Sequence, residues 1–307
     1  MALLLWGPAF AVPVEMAGSD SYSPLYDLLY DLLNGLPRVA TAISLLLAVG
    51  EGLWLNMLLY DRKLIPQNTL LPMLVYVTAM GGVPGGQTLT PMVTVNLFAI
   101  IAISQLLPHG GLTIELNRIL GASTSVALAS LCYLPSLLML LPVLIIFTIY
   151  KMYRWRDWTA LLLGLLAPYI VVGTCHYMTE RMYYVQYRMR YELANIGFEW
   201  DWTNTFGTYA SVALAVFFLL GVMATANYFA DQMTLTRKNA NSVLMMALGG
   251  VAMMMYSRFM PFDMQLVAPT MALGCTTFVL PQHRRDWVFG LVLLTFLIVS
   301  LLNAYIA

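Results

Sequence analysis

Apolar runs alternate with short polar junctions along most of this chain, and one long segment departs from the pattern. Runs at about 38–60, 69–82, 91–107, 121–150, 158–177, 205–228, 243–256, 265–280 and 287–306 carry almost no charge. A helix rises about 1.5 Å per residue, so the run that ends at Tyr60 is long enough to cross a hydrocarbon core of ~30 Å. The run from 121 to 150 would make roughly 45 Å of continuous helix, and Leu134-Pro135 lies at its centre. That predicts two shorter helices meeting near Pro135. The run from 69 to 82 leads into Gly81-Gly82-Val83-Pro84-Gly85-Gly86, which predicts a broken or re-entrant helix whose backbone needs partners from its neighbours. Residues 1–17 are apolar but short, hold Pro8 and Pro13, and lack a leading basic residue. They fit a secretory signal poorly and suit the end of a first span. The pattern predicts an all-α fold, a polytopic transmembrane helical bundle of about 10–11 membrane segments forming one integral membrane domain over 1–307.

Residues 178–204 are the exception, with Glu180, Arg181, Arg188, Arg190, Glu192, Glu199 and Asp201 in a single stretch. Met178, Met182, Val185, Met189 and Leu193 recur at three to four residues, which gives a helix with one apolar stripe lying on the membrane surface. Gly197 ends that spacing. In Phe198-Glu199-Trp200-Asp201-Trp202 the acids and rings then alternate, so an extended strand would turn the carboxylates one way and the aromatics the other. The segment reads as an anchoring loop with rings in the interface, or as an acidic site at the membrane surface. Tyr22 to Leu36 predicts a second amphipathic surface helix, with Leu25, Leu28, Leu29, Leu32 and Leu33 beside Asp27 and Asp31.

Composition sharpens this picture. Hydrophobic residues make up 60% and charged residues 10%, against about 25% charged in soluble domains. The mean hydropathy is +0.76. Net charge is zero and no basic block is long enough to grip phosphates along a strand, which excludes a nucleic-acid partner. Cys132, Cys175 and Cys275 sit apart inside apolar runs, so neither a disulfide framework nor a thiolate metal site is expected, and no metal or cofactor is called for. Of the fifteen Lys and Arg, ten fall in the junctions 61–68, 109–120, 151–157, 230–242 and 281–286, and five fall on the other side. The positive-inside rule puts those five junctions in the cytoplasm and both amphipathic helices outside. A break at Pro135 fits, because it returns the chain to the side it left.

Ser23-Pro24-Leu25-Tyr26, Leu53-Trp54-Leu55-Asn56, Leu71-Pro72-Met73-Leu74-Val75-Tyr76, Trp155-Arg156-Asp157-Trp158 and Leu163-Gly164-Leu165-Leu166-Ala167-Pro168-Tyr169 follow one another in order. Over residues 22–170 this series resembles an uncharacterised family of Bacteroidota inner-membrane proteins, a domain of unknown function. The resemblance implies a polytopic helical fold in a Gram-negative inner membrane, with segment 178–204 then periplasmic, and it implies no activity. Members of that family begin with a complete first span, which implies a native start upstream of residue 1.

Glu51 lies mid-span in Ala48-Val49-Gly50-Glu51-Gly52-Leu53-Trp54, where a carboxylate is costly unless protonated, paired or wetted. Its flanking glycines would let another helix approach. It is either a proton or cation site or a hydrogen-bonded packing residue, with Asn56, Asn96 and Gln105 as candidate partners. At the outer face the acids Asp20, Asp27 and Asp31 precede the first long span, and Glu199 and Asp201 follow later. That layout is similar to the GT-C glycosyltransferases, which use an acidic residue of the first external loop as general base on polyprenyl-linked sugars. The similarity implies Asp20 or Asp27 as catalytic base, and a substrate-binding set of Arg181, Arg188, Glu199, Trp200 and Asp201 for a lipid-linked donor in envelope biogenesis. Two other functions compete: a non-catalytic subunit that docks other inner-membrane proteins, and a transporter or flippase working through Glu51.

Overall fold

Prolines open several of the helices. Pro24, Pro37, Pro72, Pro91 and Pro135 each stand within the first two residues of one, where the missing backbone N–H has no helical partner to lose. The computed structural model describes residues 2–11, 16, 22–33, 35–65, 69–83, 86–108, 113–180, 182–194, 215–216, 218–219, 221–223, 225–230, 232–256, 265–279 and 298. Among the described residues the fold is all-helical, with no strand. In chain order the elements are α1 (Ala2–Ala11), α2 (Pro24–Leu33), α3 (Pro37–Asp61), α4 (Leu71–Gly81), α5 (Pro91–Leu106), α6 (Leu116–Cys132), a 3-10 helix (Leu134–Met139), α7 (Leu140–Ile149), α8 (Trp155–Met178), α9 (Met182–Ala194), α10 (Thr234–Tyr256) and α11 (Ala268–Val279).

Two of these, α3 and α8, are long and apolar enough to cross a membrane. The runs behind α4, α5 and Leu134–Ile149 form apolar helices of 10–17 residues, below the ~20 of a full span. Most of the run 205–228 and nearly all of 287–306 lie outside the described residues. The long run 121–150 breaks as its proline predicts: α6 ends at Cys132, Tyr133 is extended at φ −160° and ψ 109°, and the chain resumes as 3-10 helix.

The core forms where α6 packs on α5 and α8, α4 on α3 and α11, and α7 on α10. Gly164 makes the α6–α8 contact possible, since a Cβ there would strike the Ser123 hydroxyl and the Leu120 carbonyl. Trp6 is wholly buried and occupies the space that a Cβ on Gly81 would need, so α1 is a packed part of the bundle against α3 and α4.

Two groups of polar residues gather at the ends of the bundle. One end brings together Arg62, Ser104 and Arg118, with Tyr150 beside Arg62 and bonded to Asn239. The other brings together Tyr22, Asp27, His176, Arg188 and Glu192. Arg118 and Tyr150, on either side of the broken run, thus lie at the same end.

Candidate functional site

The second of these ends holds the candidate site, and α2 is its base. The Asp27 N–H donates to the Ser23 carbonyl at 2.7 Å to start the helix, and the Ser23 hydroxyl donates to Asp27 Oδ1 at 3.0 Å. Tyr26 is wholly buried, and its hydroxyl donates to the Leu89 carbonyl at 2.7 Å, fastening α2 to the approach to α5. Around it Met16, Leu33, Ala40 and Leu89 form a small apolar cluster, with Tyr30 against it. The leucines of the predicted amphipathic helix are therefore divided. Leu33 faces the cluster, while Leu28 (68% exposed) and Leu32 (74%) face outward with Asp31. The two tyrosines win the inner face because each carries a larger apolar body.

Asp27 is half-buried, and burial pushes its carboxyl above the ordinary carboxylate value; Asp31 acts in the same direction, while Ser23 and Arg188 act against it. Arg188 comes from α9, so one predicted base and one predicted phosphate ligand stand within electrostatic reach of each other. A direct hydrogen bond links Tyr22, just ahead of α2, to α9. Glu192 is buried, and its Oε2 accepts the Tyr22 backbone N–H at 3.1 Å. The His176 ring stands 6.2 Å from the Tyr22 ring, and Tyr256 at the end of α10 is within electrostatic reach of Glu192.

In the sequence Glu192 is only one charge among the several of segment 178–204, with no sign of its burial. The predicted apolar stripe on α9 is only partial as well: Val185 and Met189 are half-buried, whereas Met178 and Met182 are exposed. Tyr187 is exposed and stacks on Tyr191. Asp20, Arg181, Glu199, Trp200 and Asp201 lie outside the described residues.

Inside the bundle Glu51 is 1% exposed, and the Tyr76 hydroxyl donates to its Oε2 at 2.6 Å. Its Oε1 has no hydrogen-bond partner. Of the flanking glycines only Gly52 admits a neighbour, since a Cβ there would press on Met73 and Tyr76; Gly50 faces open space. The expected partners point elsewhere. Asn56 is on α3 itself and five residues further along, which turns it away from Glu51. Gln105 lies over Gly121 of α6. Asn96 Nδ2 donates to the Gln265 carbonyl at 3.0 Å and reaches the Met80 sulfur at 3.3 Å.

Gln265 was not singled out, yet it does what the broken helix requires. Its Nε2 donates to the Met80 carbonyl near the end of α4 at 2.9 Å, and its Oε1 accepts from the Thr90 hydroxyl at 3.1 Å. Gly86 permits this crossing, because a Cβ there would strike the Met80 carbonyl and Gln265 Nε2. An apolar cavity between α3, α5, α10 and α11 is lined by Leu55, Ile100, Ile103, Val243, Met246 and Leu266, and Glu51 does not line it.

Among the described residues no three His, Cys, Asp or Glu side chains gather as metal ligands, and Cys132, Cys175 and Cys275 are free thiols. The architecture is a helical bundle with two helices of spanning length and a titratable junction at one end. No protein-family model, curated protein or solved structure matches this chain.

Proposed function

We propose that this chain is a multi-pass protein of a bacterial inner membrane that acts in envelope biogenesis on a lipid-linked, polyprenyl-sugar type of substrate, at a periplasmic face built from α2 and α9. The membrane reading rests on the 60% hydrophobic composition and on α3 and α8. The substrate reading rests on one observation: Asp27 and Arg188, remote in sequence, stand within electrostatic reach of each other on the two outer helices. Partial burial keeps the Asp27 carboxyl closer to a working base than an exposed acid, and a guanidinium beside it is the fork that holds a phosphate. Asp27→Asn and Arg188→Gln are each expected to cause a lipid-linked precursor to accumulate in cells, as deletion of the chain would, while the protein level stays unchanged. Normal precursor pools with both variants would remove this reading.

The docking-subunit reading draws on α8. Only 17% of its most apolar window is buried within the chain, and Leu162, Leu163, Leu166, Ile170 and Val171 form an outward apolar flank. Co-purification of one stoichiometric membrane partner, lost on Leu166→Gln but kept on Asp27→Asn, would favour it.

A further inference from the structure

At the end of the bundle opposite Asp27, two arginines converge on a single acceptor. Arg62 caps α3 and Arg118 lies in the first turn of α6. Arg62 Nη2 donates to the Ser104 carbonyl at 3.0 Å, and Arg118 Nη2 donates to the same oxygen at 2.9 Å and to the Leu107 carbonyl at 3.0 Å. Ser104 belongs to the last turn of α5, whose carbonyls lack intrahelical partners and carry about half a negative charge between them. That answers one donor of Arg62 and about a quarter of the combined positive charge.

Among the described residues the remainder is unanswered. Arg62 is 5% exposed, and its Nε and Nη1 are buried without a hydrogen-bond partner. Burial first, and the neighbouring Arg118 second, lower the Arg62 guanidinium to about 10. Asp61 is the carboxylate within electrostatic reach, and it is exposed. Further cations border the same end, since Lys238 Nζ stands 5.7 Å over the Tyr150 ring and Lys63 and Lys151 are exposed beside it. Two guanidiniums brought together with donors to spare, on a bundle that could have capped α5 with one, describe half of an ionic contact.

We propose that Arg62 and Arg118 bind a phosphate-bearing anion at this end of the bundle. A phosphate supplies enough acceptor oxygens to take the free Arg62 donors and Arg118 together, and its charge matches the excess. A carboxylate supplies only two oxygens. The group can come from a phospholipid head or from free phosphate. Trp155 and Trp158 are exposed on the adjacent first turn of α8, the level at which a bilayer's phosphates lie if α8 crosses it.

The test uses the full chain. Thermal unfolding in detergent is compared in inorganic phosphate and in chloride of matched ionic strength, for the wild type and for Arg118→Gln, which changes the half-buried partner. In parallel, both proteins are placed in nanodiscs of phosphatidylcholine alone or with phosphatidylglycerol, and bound lipid is counted by native mass spectrometry after extraction. A rise of several degrees in phosphate over chloride, at least halved in Arg118→Gln, supports a free-phosphate site. No rise in phosphate, with phosphatidylglycerol retained by the wild type and lost from Arg118→Gln, supports a lipid-head site. Arg118→Lys should restore part of either signal, and Arg154→Gln, an exposed cation on the same face, should leave both unchanged. A wild type that responds to neither phosphate nor phosphatidylglycerol, or equal responses in wild type and Arg118→Gln, overturns the proposal and leaves the two arginines as caps on α5.

Discussion

Glu51 is buried with one oxygen bonded to Tyr76 and the other unmet. Glu51→Gln retains an acceptor for that hydroxyl, so unfolding of the purified protein should shift by less than about 1 kcal/mol. Tyr76→Phe leaves the whole carboxyl unmet and should cost about 1–3 kcal/mol. If Glu51→Gln folds like the wild type yet abolishes proton-coupled uptake in vesicles, the residue belongs to transport and not to packing. Asp27 offers a second, pH-dependent readout. Its carboxyl is raised in the folded state, so the fold binds that proton more tightly than the unfolded chain does. The stability linked to it is complete below the ordinary carboxylate value and is lost as pH rises through the raised one. Asp27→Asn should flatten the unfolding temperature across that acidic window, and an unchanged profile would show that Asp27 does not titrate there. The singular position of Glu51 was legible because no other charge interrupts its run. Its partner was not, because helical periodicity states which face a residue occupies and leaves open which neighbouring helix lies there.

Among the elements, the helix boundaries and the break in the long run could be read directly. Proline and run length are local facts, and α6 stops at Cys132 just ahead of Leu134-Pro135. The burial of Glu192 could not be read, since α9 carries several charges and only the path of Tyr22 decides which of them is enclosed. Gln265 escaped notice for the same reason: the broken end of α4 announced a need for donors, and the donor came from a point 185 residues away. Close helix contact gives a sharper test at this scale. Gly164 holds α8 against the Leu120 carbonyl and Ser123 of α6, while Gly173 further along the same helix has no neighbour within 4 Å. Gly164→Ala must push backbone away from backbone and should destabilise by about 1–3 kcal/mol, whereas Gly173→Ala should be neutral or slightly stabilising, as alanine favours the helix. Equal effects at the two positions in thermal unfolding would mean that α6 and α8 do not pack as described.

For the whole molecule, the sequence prescribed one asymmetry and the fold gives it a spatial form. The junctions around Arg62, Arg118, Tyr150 and Lys238 come from separate parts of the chain and share one end, while Tyr22, Asp27, Arg188 and Glu192 share the other. If the chain crosses a membrane as proposed, the positive-inside rule assigns the first end to the cytoplasm, and a single labelling experiment tests that assignment. The probe positions must be exposed, which disqualifies Arg62 at 5% exposure and favours Arg156 and Arg237 at one end with Tyr183 (81% exposed) at the other. Cys175 is itself exposed and should first be changed to serine; Cys132 and Cys275 are buried and can remain. In intact spheroplasts an impermeant maleimide should then label a cysteine at 183 and spare those at 156 and 237 until the membrane is opened. Labelling at 156 and 237 with protection at 183 would invert the orientation and move the Asp27–Arg188 junction to the cytoplasm, where a lipid-linked donor would have to be met before it crosses the membrane. Labelling of 156 without 237 would separate two positions that the fold holds at one end, and would break the multi-pass reading itself.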